Sequence, residues 1–449
     1  MSEFPQKPHD NGTRNYASTE FTLQAMKGRP LVGSALVMDT ILAYNQGMLT
    51  LSELYKLLPV KQLERLAVTY ELDSQHQIKL SGPVVFLCLL NGLLNHVELS
   101  QRLLAATYDK ITGFPISQSS ISKCLARIPY AYFADLFVWL RKRLAPQIPN
   151  AGAMDVRVRR VDATTVTLSA KLLHWGLLVG TRSPDKARRH VKSVFSLEPD
   201  ALPNFLHLCS TPAENADSVA LGETMRLHSK PGDLWVFDKG CHGRKRLFEI
   251  HQQKAYFLTP LSQQSIRETQ VLFEIKPTHL PTQPVAAGDP DFVVTRVYCG
   301  VFYHSRDSQQ TRAEWEQMPL ILVEGLRFDQ RTQTWKPLTL MTNLPVSADQ
   351  RHAGPYTFVE LAQVYRSRWD MEVLFKFLKQ HLSYSHLISR CENGIRVMIY
   401  LTLITALLLI WYRQKTGISQ GWRVVKFWFA EDVRQWTQRA VRASRLVPG

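Results

Sequence analysis

The chain has 449 residues, 45% hydrophobic and 20% charged, a size and balance that exclude a disordered or fibrous protein and allow two or three domains. Lys and Arg number 54 against 38 Asp and Glu, a net charge of +16; this suits a polyanionic partner, because each cation that neutralises a phosphate releases a condensed counterion. The six cysteines are scattered without a C-x-x-C pair, which argues against structural zinc and a disulfide scaffold and fits a reducing cytoplasm.

The polar N-terminus carries no apolar secretory signal, and residues 1–33 read as a flexible arm. Residues 34–150 carry helical stripes, such as VVFLCLLNGLL, broken at Ser81-Gly82-Pro83 and Gly113-Phe114-Pro115. Two of these helices flank a turn, with Ser117 or Ser119 as cap and Lys123 and Arg127 projecting. That pattern is either a DNA-binding helix-turn-helix or two core helices of a bundle. From Asp155 the style changes. VRVRRVDATTVTLSA reads as a strand, and DLWVFDKG as a strand buried mid-sheet that stops at a glycine turn. Between about 255 and 345 the chain is β-rich, in KAYFLTP, DFVVTRVYCGVFYH, PLILVEGLRF and KPLTLMTNL. Helical patterning returns from Thr357. The apolar run Val397–Tyr412 has 16 residues, short of the ~20 that span a bilayer, and reads as a buried core helix. Residues 413–449 interleave basic and aromatic side chains, suiting DNA, a partner subunit, or an amphipathic helix lying on the core.

The most informative stretch is YRSRWDMEVLFKFLKQHL, residues 365–382. At about 100° per residue, Tyr365, Arg368, Glu372 and Lys379 fall within roughly 60° of one helix face. The remaining directions are largely apolar, so the helix is expected to be buried, where a lone carboxylate must be paired or metal-bound. The plainer reading is an Arg368–Glu372 ion pair on a solvated face. No phosphate-cradling glycine loop is present, so no nucleotide cofactor is expected. His174, His190, His207 and His242 share no metal-ligand spacing.

The Tyr365, Arg368, Glu372 and Lys379 spacing, with Phe375-Lys376 between, resembles the signature helix of insertion-sequence 4 family transposases. The resemblance implies two further acids at strand ends. Asp162 in RRVDATTVTLSAK is similar to the first and Asp238 in DLWVFDKGCHGRK to the second, 76 residues apart and with Glu372 a further 134 on. Cys241 stands where an aromatic residue often follows the Asp-x-Gly, and is expected to weaken local packing. Asp217 resembles a loop acid sometimes found between the catalytic strands and is taken as structural.

The implied fold is α/β: a ribonuclease H-like mixed-sheet core over residues 151–412, with the β-rich insertion inside it and an all-helical DNA-binding domain at 34–150. The implied activity is cleavage at transposon ends and joining of 3′-OH ends to target DNA. Two Mg²⁺ (or Mn²⁺) ions about 4 Å apart would stabilise the attacking and leaving oxygens. Asp162 would bridge both, with Asp238 and Glu372 each holding one. Arg368, Lys376, Lys379 and Tyr365 would contact DNA. The partners expected are double-stranded DNA, as terminal repeats and target, and a second copy when two ends are synapsed; no membrane is expected, and the location is cytoplasmic and nucleoid-associated. The alternatives are a nuclease without strand transfer and a catalytically silent DNA-binding regulator.

Overall fold

A computed structural model describes residues 52–73, 79–147, 156–168, 177–178, 189–209, 211–239, 244–261, 268–275, 292–303, 307–329, 331–347, 351–385, 387–389 and 391–443. The expected arm, the start of the segment expected to be helical, His174, residues 240–243 with Cys241 and His242, and residues 444–449 lie outside these.

Among the described residues the N-terminal part is helical: after a helical turn at residues 52–57 come α1 (Val60–Thr69), α2 (Gly82–Asn95), α3 (Gln101–Thr112), α4 (Gln118–Arg127) and α5 (Tyr130–Leu144). Their boundaries follow local chemistry. Ser81 is extended ahead of α2, whose first turn takes Pro83, a residue with no N–H to lose there. Gly113 ends α3 at φ 76°, the left-handed conformation that glycine adopts without Cβ strain. Ser117 caps α4 by accepting from the Ser120 N–H, and Lys123 and Arg127 are exposed.

These helices share one apolar core with α10 (Trp369–His381), α11 (Glu392–Thr416) and α12 (Trp422–Ala443), so the two ends of the described chain build a single helical body. Asn91 on α2 donates to Thr437 Oγ1 on α12 (2.9 Å), a polar tie within that core. At 25 residues α11 exceeds the apolar run read from sequence, and by length and composition it could cross a membrane; 83% of its most apolar window is nonetheless buried inside the protein. Helix α12 is amphipathic, burying Val425, Phe429, Val433 and Trp436 and exposing Phe427 and Trp428.

The middle of the chain forms one large mixed sheet. Its strands are β1 (Arg157–Thr167), β2 (Leu177–Leu178), β3 (Arg189–Leu197), β4 (Pro203–Cys209), β5 (Asp233–Val236), β6 (Tyr256–Pro260), β7 (Glu268–Ile275), β8 (Phe292–Tyr303), β9 (Leu320–Asp329) and β10 (Thr334–Thr342). The order is β2-β3-β1-β5-β6-β10-β9-β8-β7, with β4 beside β3. Strands β1, β5 and β6 are parallel neighbours, reached through the crossover helices α6 (Asp217–His228) and α7 (Arg244–Gln252); the other pairings are antiparallel. The β-rich stretch therefore contributes β6 to the parallel centre, and its other strands extend the same sheet. Helices α6, α7 and α8 (Gln309–Glu316) cover one face. The other carries α9 (Phe358–Arg366) and the helical body.

Strands β3 and β4 and helices α6 and α7 were not anticipated. β3 is buried along nearly its whole length, yet it holds Lys192, Ser193 and Ser196, which break the apolar run a buried strand normally shows.

Candidate active site

The stretch expected to be one helix is two. The α-helical ladder of α9 stops at Arg366, and Ser367 and Arg368 form a tight turn. There Arg368 N–H bonds to Tyr365 O and Asp370 N–H to Ser367 O, three residues back rather than four, before α10 begins. The single face expected of a continuous helix is thereby altered: Tyr365 lies in the last turn of α9, while Glu372 and Lys379 belong to α10. Nor is α10 buried all round. Met371, Leu374, Phe377 and Leu378 pack inward, whereas Trp369 (59%) and Val373 (49%) are exposed.

The junction still brings the signature residues to the sheet. The Arg368 guanidinium donates to Glu372 Oε1 (2.9 Å) and lies 3.8 Å from Asp162 Oδ2. The ion pair of the plainer reading therefore exists, but Arg368 is only 14% exposed and spans two acids from distant parts of the chain. Tyr365 is buried, its ring 5.9 Å from the guanidinium carbon.

Asp162 lies mid-strand in β1, not at the strand's end. Its antiparallel pairing with β3 runs on to Thr167, while its parallel pairing with β5 stops at Arg160–Val236. Continuing that register by two residues sets Asp162 opposite Asp238, which follows β5 and is exposed. Alternation puts both on the sheet face that α9 and α10 cover. Asp162 Oδ1 accepts from the Ala163 N–H, and Asp238 Oδ1 from the Lys239 N–H, both at 2.7 Å.

Burial raises the Asp162 carboxyl to about 6; the Ala163 N–H and Arg368 oppose the rise, and the charges of Asp238 and Asp217 add to it. Burial also works against the Arg368 charge, but Glu372, Tyr365 and Asp238 outweigh it and hold the guanidinium above its ordinary range. An all-oxygen donor set whose members repel one another suits a hard divalent cation. Asp217, taken as structural, stands at the start of α6 and is paired with the buried Lys192 (2.8 Å); its charge nonetheless reaches Asp162.

Lys379 is half-buried with its ammonium pulled below its usual range by burial, and Lys376 is exposed on the next turn. Beside the junction opens a cleft of about 590 Å³, lined by Arg327, Arg331, Arg366, Arg368, Tyr365 and Trp369 among others. Three of these arginines escaped the sequence reading. Arg327 and Arg331 reach the site only through the β9–β10 pairing, which no local motif announces. Arg160, beside Asp162 in sequence, was also missed; its guanidinium is buried against Asp370 (2.9 Å) and fastens β1 to α10.

The transposase DDE domain family matches residues 157–409, from the first residue of β1 into α11. A Sinorhizobium fredii protein named as the transposase y4zB is 25% identical over 295 residues, 65% of this chain and 70% of that protein. A Geobacillus stearothermophilus protein named as the transposase of insertion sequence element IS5377 is 22% identical over 298 residues, 66% of this chain and 68% of that one. Over 70 residues, 16% of this chain, identity reaches 39% with a Synechocystis sp. protein named as the transposase of element IS4SA, 20% of which is covered.

Proposed function

The chain belongs to the transposase DDE domain family, and from that premise we propose that Asp162, Asp238 and Glu372 are its catalytic acids, set in a ribonuclease H-like core. The chain is a transposase, and its family comprises enzymes of metal-dependent DNA cleavage and transfer. The observation that carries the residue assignment is the Arg368 guanidinium spanning Glu372 and Asp162 while also sensing the Asp238 charge. Three acids separated by 76 and 134 residues thus share one small region. The order β4-β3-β1-β5-β6, with an antiparallel pair on one side and the three parallel strands β1, β5 and β6 on the other, supports the ribonuclease H-like assignment. The Tyr365, Arg368, Glu372 and Lys379 pattern and the IS4SA relative support insertion-sequence 4 membership.

Two Mg²⁺ or Mn²⁺ ions held by the three acids would supply the charge that stabilises attacking and leaving oxygens in phosphoryl transfer. Asp162 must be ionised to serve, and Arg368 beside it favours that state. Arg368 also presents a fork suited to a phosphate, with Tyr365 packed against it to limit its swing. Lys376 and Lys379 continue the positive track along α10 for backbone contacts. The helices of 34–150, with exposed Lys123 and Arg127, are assigned to DNA recognition, and bringing two ends together calls for a dimer on DNA.

The test uses purified full chain, Mg²⁺, target plasmid and DNA bearing the terminal repeats that flank its own gene. The expected products are 3′-OH ends joined to target. Loss of an acid that organises transition-state charge is worth several kcal/mol, so Asp162→Ala should lower the rate by about 10³-fold or more. Cleavage without joining would reduce the protein to a nuclease, and undiminished cleavage by Asp162→Ala would mean that the acid is misassigned.

A further inference from the structure

On the opposite face of the sheet from the acids, His207, Cys209 and Glu214 bring one imidazole nitrogen, one sulfur and one carboxylate oxygen within 4.8 Å of one another. We propose that these three side chains form a second metal site, selective for a borderline cation such as Zn²⁺ and separate from the Mg²⁺-type acid set.

The backbone builds the cluster. A shift in register between Val194 and Phe195 leaves Leu206 as an extra residue in β4, after which His207 pairs with Val194 and Cys209 with Lys192. Residues two apart on a strand share a face, so His207 and Cys209 point the same way, toward α6. The chain then turns at Thr211 into a short 3₁₀ segment, Pro212–Asn215, which carries Glu214 back over them.

Glu214 is oriented for this role. Its Oε2 accepts from the Thr211 N–H (2.7 Å) and hydroxyl (2.8 Å), and its Oε1 is directed at His207 Nε2. A ligating carboxylate held through its other oxygen is the usual outer-shell arrangement of a metal centre. Cys209 is buried and closes the inner side, while His207 is a third exposed and leaves a way in. The nearby positive charge, Lys192, is already taken up by Asp217 and the Asn215 carbonyl, so it does not stand unopposed against a cation.

The donor set decides the metal. Sulfur, nitrogen and one oxygen suit Zn²⁺, whereas Mg²⁺ prefers oxygen throughout. Binding would replace the thiol proton, released to solvent, with a metal–sulfur bond. Three protein ligands leave a fourth position for water. His-x-Cys on a strand with Glu five residues on follows neither the C-x-x-C nor the paired-histidine spacing of common metal motifs, so the local sequence does not announce the cluster.

The test is a titration of chelator-treated full chain with Co²⁺ as a spectroscopic stand-in, followed by Zn²⁺. One equivalent should produce a thiolate-to-cobalt charge-transfer band that Zn²⁺ abolishes and Mg²⁺ does not. Asp162→Ala should keep the band. Cys209→Ser should abolish it, and His207→Gln should weaken binding by more than the ~10–100-fold that losing an outer-shell partner costs. His207 is partly exposed, so its variant keeps the test decisive if Cys209→Ser fails to fold. No thiolate band in the wild type, a band that persists in Cys209→Ser, or unchanged affinity in His207→Gln would overturn the proposal.

Discussion

Around Leu403, near the middle of α11, the packed cluster is apolar and buried, and the helix satisfies its own backbone. Around Asp162 the surroundings are also mostly buried, but they hold Arg368 and the charges of Asp238 and Asp217, and the carboxyl resists ionisation. The first region lowers its energy by excluding water. The second keeps like charges together at a cost that Arg368 offsets in part and a bound cation would remove. Stability and chemistry are thus assigned to different parts of one sequence, and substitutions should separate them.

The largest effects come from crossing that division. Asp162→Asn keeps the shape and removes the charge, so DNA cleavage should fall by about 10³-fold or more while thermal stability at neutral pH holds or rises. Leu403→Ala should do the reverse. Emptying a fully buried leucine site costs about 2–5 kcal/mol, visible as a lower denaturation midpoint, while the fraction still folded cleaves at the wild-type rate. An Asp162→Asn protein that unfolds as readily as Leu403→Ala would erase the contrast.

A middle-sized effect tests the electrostatic half directly. The folded carboxyl of Asp162 titrates near 6, raised from 3.8. A raised acid binds its proton more tightly in the folded state than in the unfolded one, so its contribution to stability is greatest below about 4 and is lost as pH climbs to about 6. The shift corresponds to at most about 3 kcal/mol. In the presence of a chelator, the stability gap between Asp162→Asn and wild type should therefore widen from pH 4 to 6 and then level. Cleavage at limiting Mg²⁺ should rise across the same interval, because a protonated carboxyl cannot ligate. A gap independent of pH would remove Asp162 as the source.

What the sequence disclosed divides along similar lines. The apolar helix α11, the strands β8, β9 and β10, and the glycine at the end of α3 were legible because each is set by a local pattern: a long apolar run, alternation, a left-handed turn. Glu372 was legible through its companions at fixed spacing. The break at Ser367–Arg368 was not, since neither residue interrupts a helix on propensity; the turn is fixed by where α9 and α10 pack. Strand β3 was hidden by its buried Lys192, whose partner Asp217 lies 25 residues away and on a helix. Arg327 and Arg331 come to the cleft through strand pairing alone. Nothing adjacent to them in the chain signals that destination.

The smallest effect concerns the two lysines of α10, which the sequence placed together and the structure distinguishes. Lys376 is exposed, whereas Lys379 is half-buried with its ammonium already disfavoured. Truncating an exposed lysine changes stability by less than about 0.5 kcal/mol, so Lys376→Ala should leave the denaturation midpoint alone. If it meets a phosphate, the salt dependence of DNA binding should become shallower by about one unit of slope, equally for specific and unrelated DNA. Lys379→Ala should also lower stability slightly, because truncating a half-buried side chain removes packing. Identical behaviour of the two variants in both measurements would show that α10 meets DNA along its whole exposed side rather than through graded contacts that fade with depth.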